Sequence, residues 1–349
     1  MIICASRRTD IPAFHSEWMM NRLRAGEALV RNPVSRNVVY RVGLTRSDVD
    51  CIVFMTKNPA PMVPHMREIG SLGLVSLFQV TMTPYGKDLE PGVPPKADVN
   101  DACAEIAGRI GRDRMVWRYD PVVFSDGKGM GYHSRKFDLL CRSASEWTDR
   151  CVFSFVDVYG KLLSVSGPGA FRSVTREEQD AFIRMAVHTA GEYGMSLSMC
   201  CPGRDLSEFG IEPRGCLDRA VMTSLGIPFE TGGKGSRERC RCVKSVDIGE
   251  YDTCSHGCVY CYAARTAPDR RGTRLCCEES EMLWGSVSPR DRVVDLKGRG
   301  ASRLDDFLRG YLYFFDAPCR DPWIPSRCSL WLSRCPWTPS PCRFAKGWR

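Results

Sequence analysis

Residues 51–58 read CIVFMTKN, an apolar and β-branched run that ends in the polar residues Thr56, Lys57 and Asn58. A continuous apolar run of this length is typical of a strand buried on both faces, as in a parallel sheet. The polar residues follow where such a strand enters a loop. This stretch therefore predicts a parallel sheet with functional side chains at the carboxyl ends of its strands.

The same pattern recurs through the first two thirds of the chain and alternates with segments of helical period. Such alternation is expected of repeated βα units. We predict strands at Ile2 to Ser6, Cys51 to Thr56, Leu77 to Met82, Met115 to Tyr119, Cys151 to Val156 and Ser196 to Cys200. We predict helices around Ser16 to Arg24, Ala97 to Ile110, Ser134 to Trp147 and Arg176 to Tyr193, the last with a capping box at Thr175 and Glu178 and a C-cap at Gly194.

These elements predict an α/β fold class, a TIM-like partial barrel of parallel βα units with a C-terminal cysteine-rich cluster loop. Residues 1–230 would form the barrel and residues 231–300 the cysteine-rich module. Residues 301–349 are atypical, because the part from Pro318 onward holds four Cys, four Trp and six Pro with little helical or strand period. We expect this tail to be disordered, or to be an out-of-frame extension of the natural gene.

Polar or charged side chains follow nearly every predicted strand. In barrels of parallel strands, substrates and cofactors bind at this rim. The structural alternative for each charged residue is an ion pair between neighbouring strands. The rim residues are Arg7 to Asp10, Lys57, Asn58, Thr83, Arg118 to Asp120 and Asp157.

The composition, with 43% hydrophobic and 26% charged residues in 349, is that of an ordinary globular protein. No run of about 18 apolar residues occurs, and the start, MIICASRRTD, has no basic segment followed by an apolar one. We therefore expect a soluble, cytoplasmic protein with no membrane partner. The net charge of +8 is weak evidence for a nucleic-acid groove, because six basic residues and only Asp321 give residues 318–349 a charge of +5.

Nineteen cysteines in a chain without an export signal favour metal binding over disulfides. Three of them, Cys254, Cys258 and Cys261, lie in DTCSHGCVYCYA, residues 252–263. Their CxxxCxxC spacing suits three irons of one [4Fe-4S] cluster and leaves the fourth iron open. The alternative is a zinc site completed by Cys240, Cys242 or His256. The spacing favours the cluster, because zinc knuckles usually pair two CxxC units across a longer loop.

Four further cysteines suggest a second site. Cys200 ends a predicted strand, Cys216 follows a glycine, and Cys240 and Cys242 precede the main motif. Together they would supply four ligands to another iron-sulfur cluster or to a zinc ion, with Cys201 competing with Cys200. The cysteines in apolar or helical settings are better interpreted as small buried hydrophobes, namely Cys4, Cys51, Cys103, Cys141 and Cys151.

Two segments carry a resemblance to known proteins, SRRTDIPAF at residues 6–14 and DIGEYDTCSHGCVYCYA at residues 247–263. With the inner blocks VFMTKNP, TMTPYGKDLEP and VWRYDPV, they resemble a bacterial family catalogued as a domain of unknown function. The cysteine loop, with Tyr260 before Cys261, resembles that of radical S-adenosylmethionine (SAM) enzymes. The string CVYCYA is also similar to the spore photoproduct lyase branch, which makes a nucleic-acid-derived substrate one option beside a small molecule.

The radical SAM resemblance implies that SAM chelates the open iron and that a reduced cluster cleaves it to a 5′-deoxyadenosyl radical. An electron donor such as a flavodoxin or ferredoxin is then implied. SAM or an anionic substrate would contact Arg7, Arg8, Asp10, Lys57, Asn58, Arg118, Asp120 and Tyr260. No catalytic residue is assigned.

Radical SAM enzymes carry this motif after their first strand, whereas here it follows about six βα units. A circular permutation of the barrel would bring the loop back to the same rim. The alternative function is a non-catalytic zinc- or iron-sulfur-binding protein, either a scaffold or a sensor.

Overall fold

The computed structural model describes residues 1–156, 171–231, 240–264 and 276–296. Asp157, the tail expected at residues 301–349 and parts of the cysteine-rich module lie outside these ranges. In the described part of the chain, no helix is both long and apolar enough to cross a membrane.

The elements alternate between strands and helices along most of the chain. They are β1 (Ile2–Ala5), α1 (Ile11–Phe14), α2 (Ser16–Ala25), β2 (Glu27–Arg31), β3 (Val38–Gly43), β4 (Cys51–Thr56), α3 (Met66–Ser71), β5 (Ser76–Thr81), α4 (Lys96–Ile110), β6 (Met115–Val122), α5 (Met130–Ala144), β7 (Arg150–Phe155), α6 (Arg176–Glu192), β8 (Ser196–Cys200), β9 (Pro213–Arg214), α7 (Arg219–Ser224), β10 (Val246–Asp247) and β11 (Arg292–Leu296). Three short 3-10 helices lie at Ala60–His65, Arg112–Arg114 and Ser207–Phe209.

Eight of the strands form one sheet in the order β10-β1-β4-β5-β6-β7-β8-β9. Every neighbouring pair in this sheet is parallel. The α/β class is thereby confirmed, and all six predicted strands are present with bounds that differ from the expected ones by at most three residues. Within the described ranges, no pairing joins the outer strands β9 and β10.

The two faces of the sheet pack against different layers. On one face, Ile52, Phe78, Trp117 and Phe153 belong to a continuous core cluster that also contains buried side chains of α2, α4, α5 and α6. On the other face, a second cluster joins side chains of the sheet to α7 and the chain segments around it. The sheet contributes Ile2, Cys51, Val53, Leu77, Val116 and Val152, which pack with Leu217, Val221, Met222, Leu225, Ile227 and Val243. Burial on both faces explains the continuous apolar runs of the strands.

A second sheet was not predicted. In it β3 pairs antiparallel with β2 and parallel with β11. An ion pair between Arg31 and Asp291, at 2.8 Å, and a hydrogen bond from Trp18 Nε1 to the carbonyl of Ser280 tie residues 276–296 to β2 and α2. This small sheet thus joins a late segment of the chain to its beginning.

Two local predictions are confirmed. Helix α6 begins at a capping box in which Thr175 and Glu178 bond each other's backbone, and Gly194 adopts a left-handed φ of 66° just beyond the helix end. The five cysteines interpreted as small hydrophobes are all buried, namely Cys4, Cys51, Cys103, Cys141 and Cys151.

The aromatic cluster around Phe182 of α6 gives a first prediction. Phe182 is fully buried, with its ring centroid 5.5 Å from that of Phe155 and 5.6 Å from that of Phe153. We expect Phe182→Ala to lower the free energy of unfolding by about 3–5 kcal/mol, because it removes buried area and leaves a cavity. Urea unfolding of the full chain measures the change. The matched control is Leu139→Ala on α5, where the side chain is exposed and a change below about 0.5 kcal/mol is expected.

Candidate functional site

A cavity of about 420 Å³ opens at the carboxyl ends of the strands of the large sheet. This is the rim at which parallel βα folds place their sites. Its lining comes from the ends of six strands and the loops after them, and also from the cysteine loop that follows β10. The lining includes Ser6, Arg7, Arg8, Thr9, Asp10, Thr56, Lys57, Thr81, Arg118, Asp120, Ser154, Val156 and Cys200.

Nearly all residues singled out from the sequence meet in this one cavity. The lining contains the three motif cysteines Cys254, Cys258 and Cys261 together with the second set, Cys200, Cys216, Cys240 and Cys242. It also contains Cys201, Arg7, Asp10, Lys57, Arg118, Asp120 and Tyr260. Asn58 is not part of it: the backbone N–H of Asn58 donates to Thr56 Oγ1, and its side-chain oxygen accepts from the N–H of Ala60.

Asp247, at the end of β10, joins the cysteine-bearing segment to the loop after β1. Its carboxylate accepts hydrogen bonds from Ser6 Oγ at 2.7 Å, from the backbone N–H of Arg7 at 2.8 Å and from Arg8 Nε at 3.1 Å. The N–H of Gly249 donates to the same carboxylate at 3.0 Å. Burial alone would raise the pKa of Asp247, but the two arginines and these donors hold it below its ordinary value.

Asp10 makes the next connection. One carboxylate oxygen caps α1 by accepting from the N–H of Ala13 at 3.0 Å. The other accepts from the backbone N–H of Lys57 at 2.7 Å and lies 2.8 Å from Nε2 of His256. Since Nδ1 of His256 lies 3.3 Å from the carbonyl of Gly92, both ring nitrogens already face acceptors. His256 therefore fastens the cysteine loop through contacts at both ring nitrogens.

Glu90 is the centre of a buried network beneath Tyr260. Its side chain is 1% exposed and accepts from Lys57 Nζ at 2.7 Å, Lys96 Nζ at 2.5 Å and Thr83 Oγ1 at 2.5 Å. The hydroxyl of Tyr260 also donates to Glu90. Burial would raise the pKa of Glu90, but the two ammonium groups lower it to about 2. This network fixes the aromatic ring that lies between Cys258 and Cys261.

The loop of residues 84–95 packs directly on the cysteine loop. The backbone N–H of Gly92 donates to the carbonyl of His256, and that of Val259 donates to the carbonyl of Leu89. A Cβ added at Gly92 would lie 2.7 Å from the carbonyl oxygen of Ser255, so only glycine fits at this approach. The cysteine loop is therefore held by backbone bonds as well as by side chains.

The three motif cysteines form a donor set suited to a bound cation. Burial raises the pKa of Cys258 to about 12, against the opposing charge of Lys57, and raises that of Cys254 well above its ordinary value. Cys258 is buried, and Cys254 and Cys261 are half-buried. Thiols in this setting fit an iron-sulfur cluster, because iron would stabilise their thiolates.

Three sulfurs of the second cysteine set and its neighbour Cys201 are close together. The sulfurs of Cys200 and Cys216 lie 2.8 Å apart, and those of Cys200 and Cys201 lie 3.9 Å apart. The sulfur of Cys242 accepts from the backbone N–H of Leu217, the residue after Cys216, at 3.4 Å. The neighbouring thiols of Cys200 and Cys242, followed by the Arg118 guanidinium, hold the pKa of Cys216 well below its ordinary value. Among the described residues, no group of three or more His, Cys, Asp or Glu side chains already stands in a metal-binding arrangement.

Arg118 and Asp120 of β6 lie beside this second set. Arg118 donates to Asp120 and, at 2.9 Å, to Gln79 Oε1, while the amide of Gln79 donates to the carbonyl of Cys216. Ser154 completes the cluster by donating to the carboxylate of Asp120. The charged groups at this end of the cavity are thus paired with one another.

Comparison with known proteins gives one match. The family described as "Domain of unknown function (DUF1848)" matches residues 2–263, which is most of the chain. The chain belongs to DUF1848. No curated protein and no solved structure matches it. The DUF1848 match spans β1, the cysteine loop and every residue of the cavity lining, so the whole candidate site lies inside the family region.

Sequence reasoning missed Glu90 and Asp247 as parts of the site. Both lie in segments quoted for the family resemblance, TMTPYGKDLEP and DIGEYDTCSHGCVYCYA, but a single acidic residue in a loop gives no sign of burial. The partners of Glu90, Lys57 and Lys96, gave no sequence signal either, because their burial is set by the fold.

The Glu90 network gives a second prediction. We expect Glu90→Gln to lower the free energy of unfolding by about 3 kcal/mol, because it removes the carboxylate and leaves two partly buried ammonium groups without their partner. Urea unfolding of the full chain measures the loss. Glu105→Gln is the matched control, since Glu105 is exposed and pairs with Arg109 within one helix, and its change should stay below about 0.5 kcal/mol. Equal losses in the two variants would contradict the central place of Glu90.

Proposed function

We propose that this protein is an iron-sulfur enzyme of radical SAM type that reductively cleaves SAM to act on a substrate not yet identified. The observation that carries the proposal is the position of the CxxxCxxC cysteines. Cys254, Cys258 and Cys261 line a cavity at the carboxyl ends of a parallel sheet, beside a set of charged side chains from the strand ends. A volume of about 420 Å³ is within the range of small-molecule and cofactor sites.

We further propose that the large sheet is a circularly permuted partial barrel. Placing β10 before β1 makes each strand pair with the next one along the chain, from β10 through β1 and β4 to β9. A doubly wound sheet instead reverses its strand order at a switch point. The location of α2, α4, α5 and α6 in one core cluster on a single face also favours winding in one direction. In the permuted order the cysteine loop follows the first strand, as it does in radical SAM enzymes.

A [4Fe-4S] cluster on Cys254, Cys258 and Cys261 would supply an electron to SAM and so generate a 5′-deoxyadenosyl radical. The protein's part is to hold the cysteine loop and to exclude water. Asp10 and His256 fix the first half of the loop, and Glu90 with Lys57 fixes Tyr260 in the second half. The hydroxyl of Tyr262 donates to the carbonyl of Arg7 at 3.0 Å and closes the loop against β1.

Polar groups for SAM or for an anionic substrate come from Arg7, Lys57, Arg118 and Asp120, which line the same cavity. Arg7 is the most exposed of these four, with 26% of its side chain accessible. A guanidinium in a concave site suits bidentate recognition of a carboxylate or phosphate. The substrate is then a small or nucleic-acid-derived molecule with an anionic group. A cytoplasmic location and a flavodoxin or ferredoxin as electron donor belong to the same proposal.

A third prediction tests the function directly. After anaerobic purification and reconstitution, the wild-type chain should contain about four iron and four sulfide per motif cluster. With dithionite and SAM it should release 5′-deoxyadenosine. Cys258→Ser should reduce that release at least about 100-fold, because three thiolates are needed to leave one iron open. Mass spectrometry of the nucleoside product measures the effect.

The control is Cys277→Ser, which changes an exposed cysteine outside both cysteine sets. It should retain the iron content and the 5′-deoxyadenosine yield of the wild type. A colourless wild-type protein that holds zinc at the motif cysteines and no sulfide would refute the enzyme and support the alternative, a non-catalytic zinc-binding scaffold. A cluster that does not cleave SAM would support an iron-sulfur sensor instead.

A further inference from the structure

Five cysteines outside the CxxxCxxC motif converge on the cavity from three separate segments of the chain. Cys200 ends β8 and Cys201 follows it, Cys216 lies between β9 and α7, and Cys240 and Cys242 precede β10. Their sulfurs make a chain of contacts from Cys201 to Cys200, at 3.9 Å, and on to Cys216, at 2.8 Å. The sulfur of Cys242 lies beside this chain, where it accepts from the backbone N–H of Leu217 at 3.4 Å.

Such a chain of sulfurs is unfavourable without a ligand. Thiols are weak donors, so burying several of them against one another replaces water by poor hydrogen bonds. A single disulfide would use two sulfurs and leave the others packed against it. One metal ion would bond four of them at once.

We propose that Cys200, Cys216, Cys240 and Cys242 bind a single tetrahedral metal ion of the zinc class, separate from the cluster on the CxxxCxxC motif. In a tetrahedral zinc site with Zn–S bonds of 2.3 Å, neighbouring sulfurs lie about 3.8 Å apart. The contact between Cys200 and Cys216 is 2.8 Å, so binding would separate these two sulfurs by about 1 Å. In a cubane cluster the cysteines bind different irons, so their sulfurs must lie farther apart. The close contact of Cys200 and Cys216 therefore favours a single ion at this site.

A four-thiolate site with a divalent ion carries a net charge of −2. The guanidinium groups of Arg118 and Arg7 line the same cavity as the four cysteines. Each also pairs with a carboxylate, Arg118 with Asp120 and Arg7 with Asp247, so together they would offset part of the two excess negative charges.

The site would have a structural role. It would tie the end of β8 and the β9–α7 connection to the segment that leads into β10 and the cysteine loop. The approach of these segments is already close, because a Cβ added at Gly215 would lie 2.7 Å from the backbone nitrogen of Cys242. The N–H of Val243 also donates to the carbonyl of Leu217 at 3.0 Å. A bound ion would fix this side of the cavity by the same means that zinc stabilises small modules.

Metal analysis of the full chain, purified anaerobically from zinc-containing medium, tests the proposal. The wild type should hold about one zinc per chain, and Cys216→Ser should lose at least about 90% of it because one of four thiolates is removed. Cys277→Ser should keep its zinc. Cys258→Ser should lose iron and keep zinc, so that failure of this site and failure of the radical SAM proposal are distinguished in the same samples.

A second measurement does not depend on the folding of any variant. Cobalt substitution of the wild-type chain should give the intense visible bands of tetrahedral Co²⁺ with thiolate charge transfer. Zinc-free protein with a doubled iron and sulfide content would overturn the proposal in favour of a second cluster. A Cys200–Cys216 disulfide found by mass spectrometry, or thiols in this set that react freely in the purified protein, would overturn it as well.

Discussion

The carboxylate of Asp247 makes the connection on which the cavity depends. It bonds the backbone and side chains of Ser6 to Arg8, a segment that lies about 240 residues earlier in the chain. Strand β10 has only two residues, too few for its ladder bonds to hold a loop in place. The ionised carboxylate, held below its ordinary pKa by Arg8 and Arg7 despite burial, supplies the missing attachment. The cysteine loop therefore enters the cavity beside β1 because of one buried acid.

Two further carboxylates continue the attachment along the loop. Asp10 reaches His256, and Glu90 reaches Tyr260, so each half of the cysteine loop is bonded to an acid supplied by another part of the chain. Buried acids of this kind stabilise the folded protein only when they are fully paired. Glu90 meets this condition, because it has two ammonium partners as well as two hydroxyl donors. The result is a loop held by polar side chains on rigid elements, which is what a precisely positioned cofactor needs.

The parallel sheet could be predicted from the sequence because its strands are buried on both faces and read as continuous apolar runs, as in Cys51–Thr56. The rim residues followed from the ends of those runs. The small sheet was missed because the pairing of β11 with β3 joins segments about 250 residues apart. Strands β9 and β10 have two residues each, which is too short for a hydrophobic period to be recognised in the sequence. Asn58 shares a strand end with Lys57, but its side chain is used by the following turn.

The two cysteine sets differ in how far the sequence alone could identify them. The CxxxCxxC spacing is local, and it sufficed to select three cysteines on one loop. The second set comes from three segments, and only the fold decides that Cys200 contacts Cys216 rather than another of the nineteen cysteines.

Contact between sulfurs also bears on what the second set can bind. The sulfurs of Cys200 and Cys216 are 2.8 Å apart, which suits ligands of one ion better than ligands of separate irons. Burial raises the pKa of Tyr262, the Arg118 guanidinium lowers it, and the sulfur of Cys261 raises it. Both cysteine sets line the cavity together with Tyr262, so charge held at either set acts across a common space.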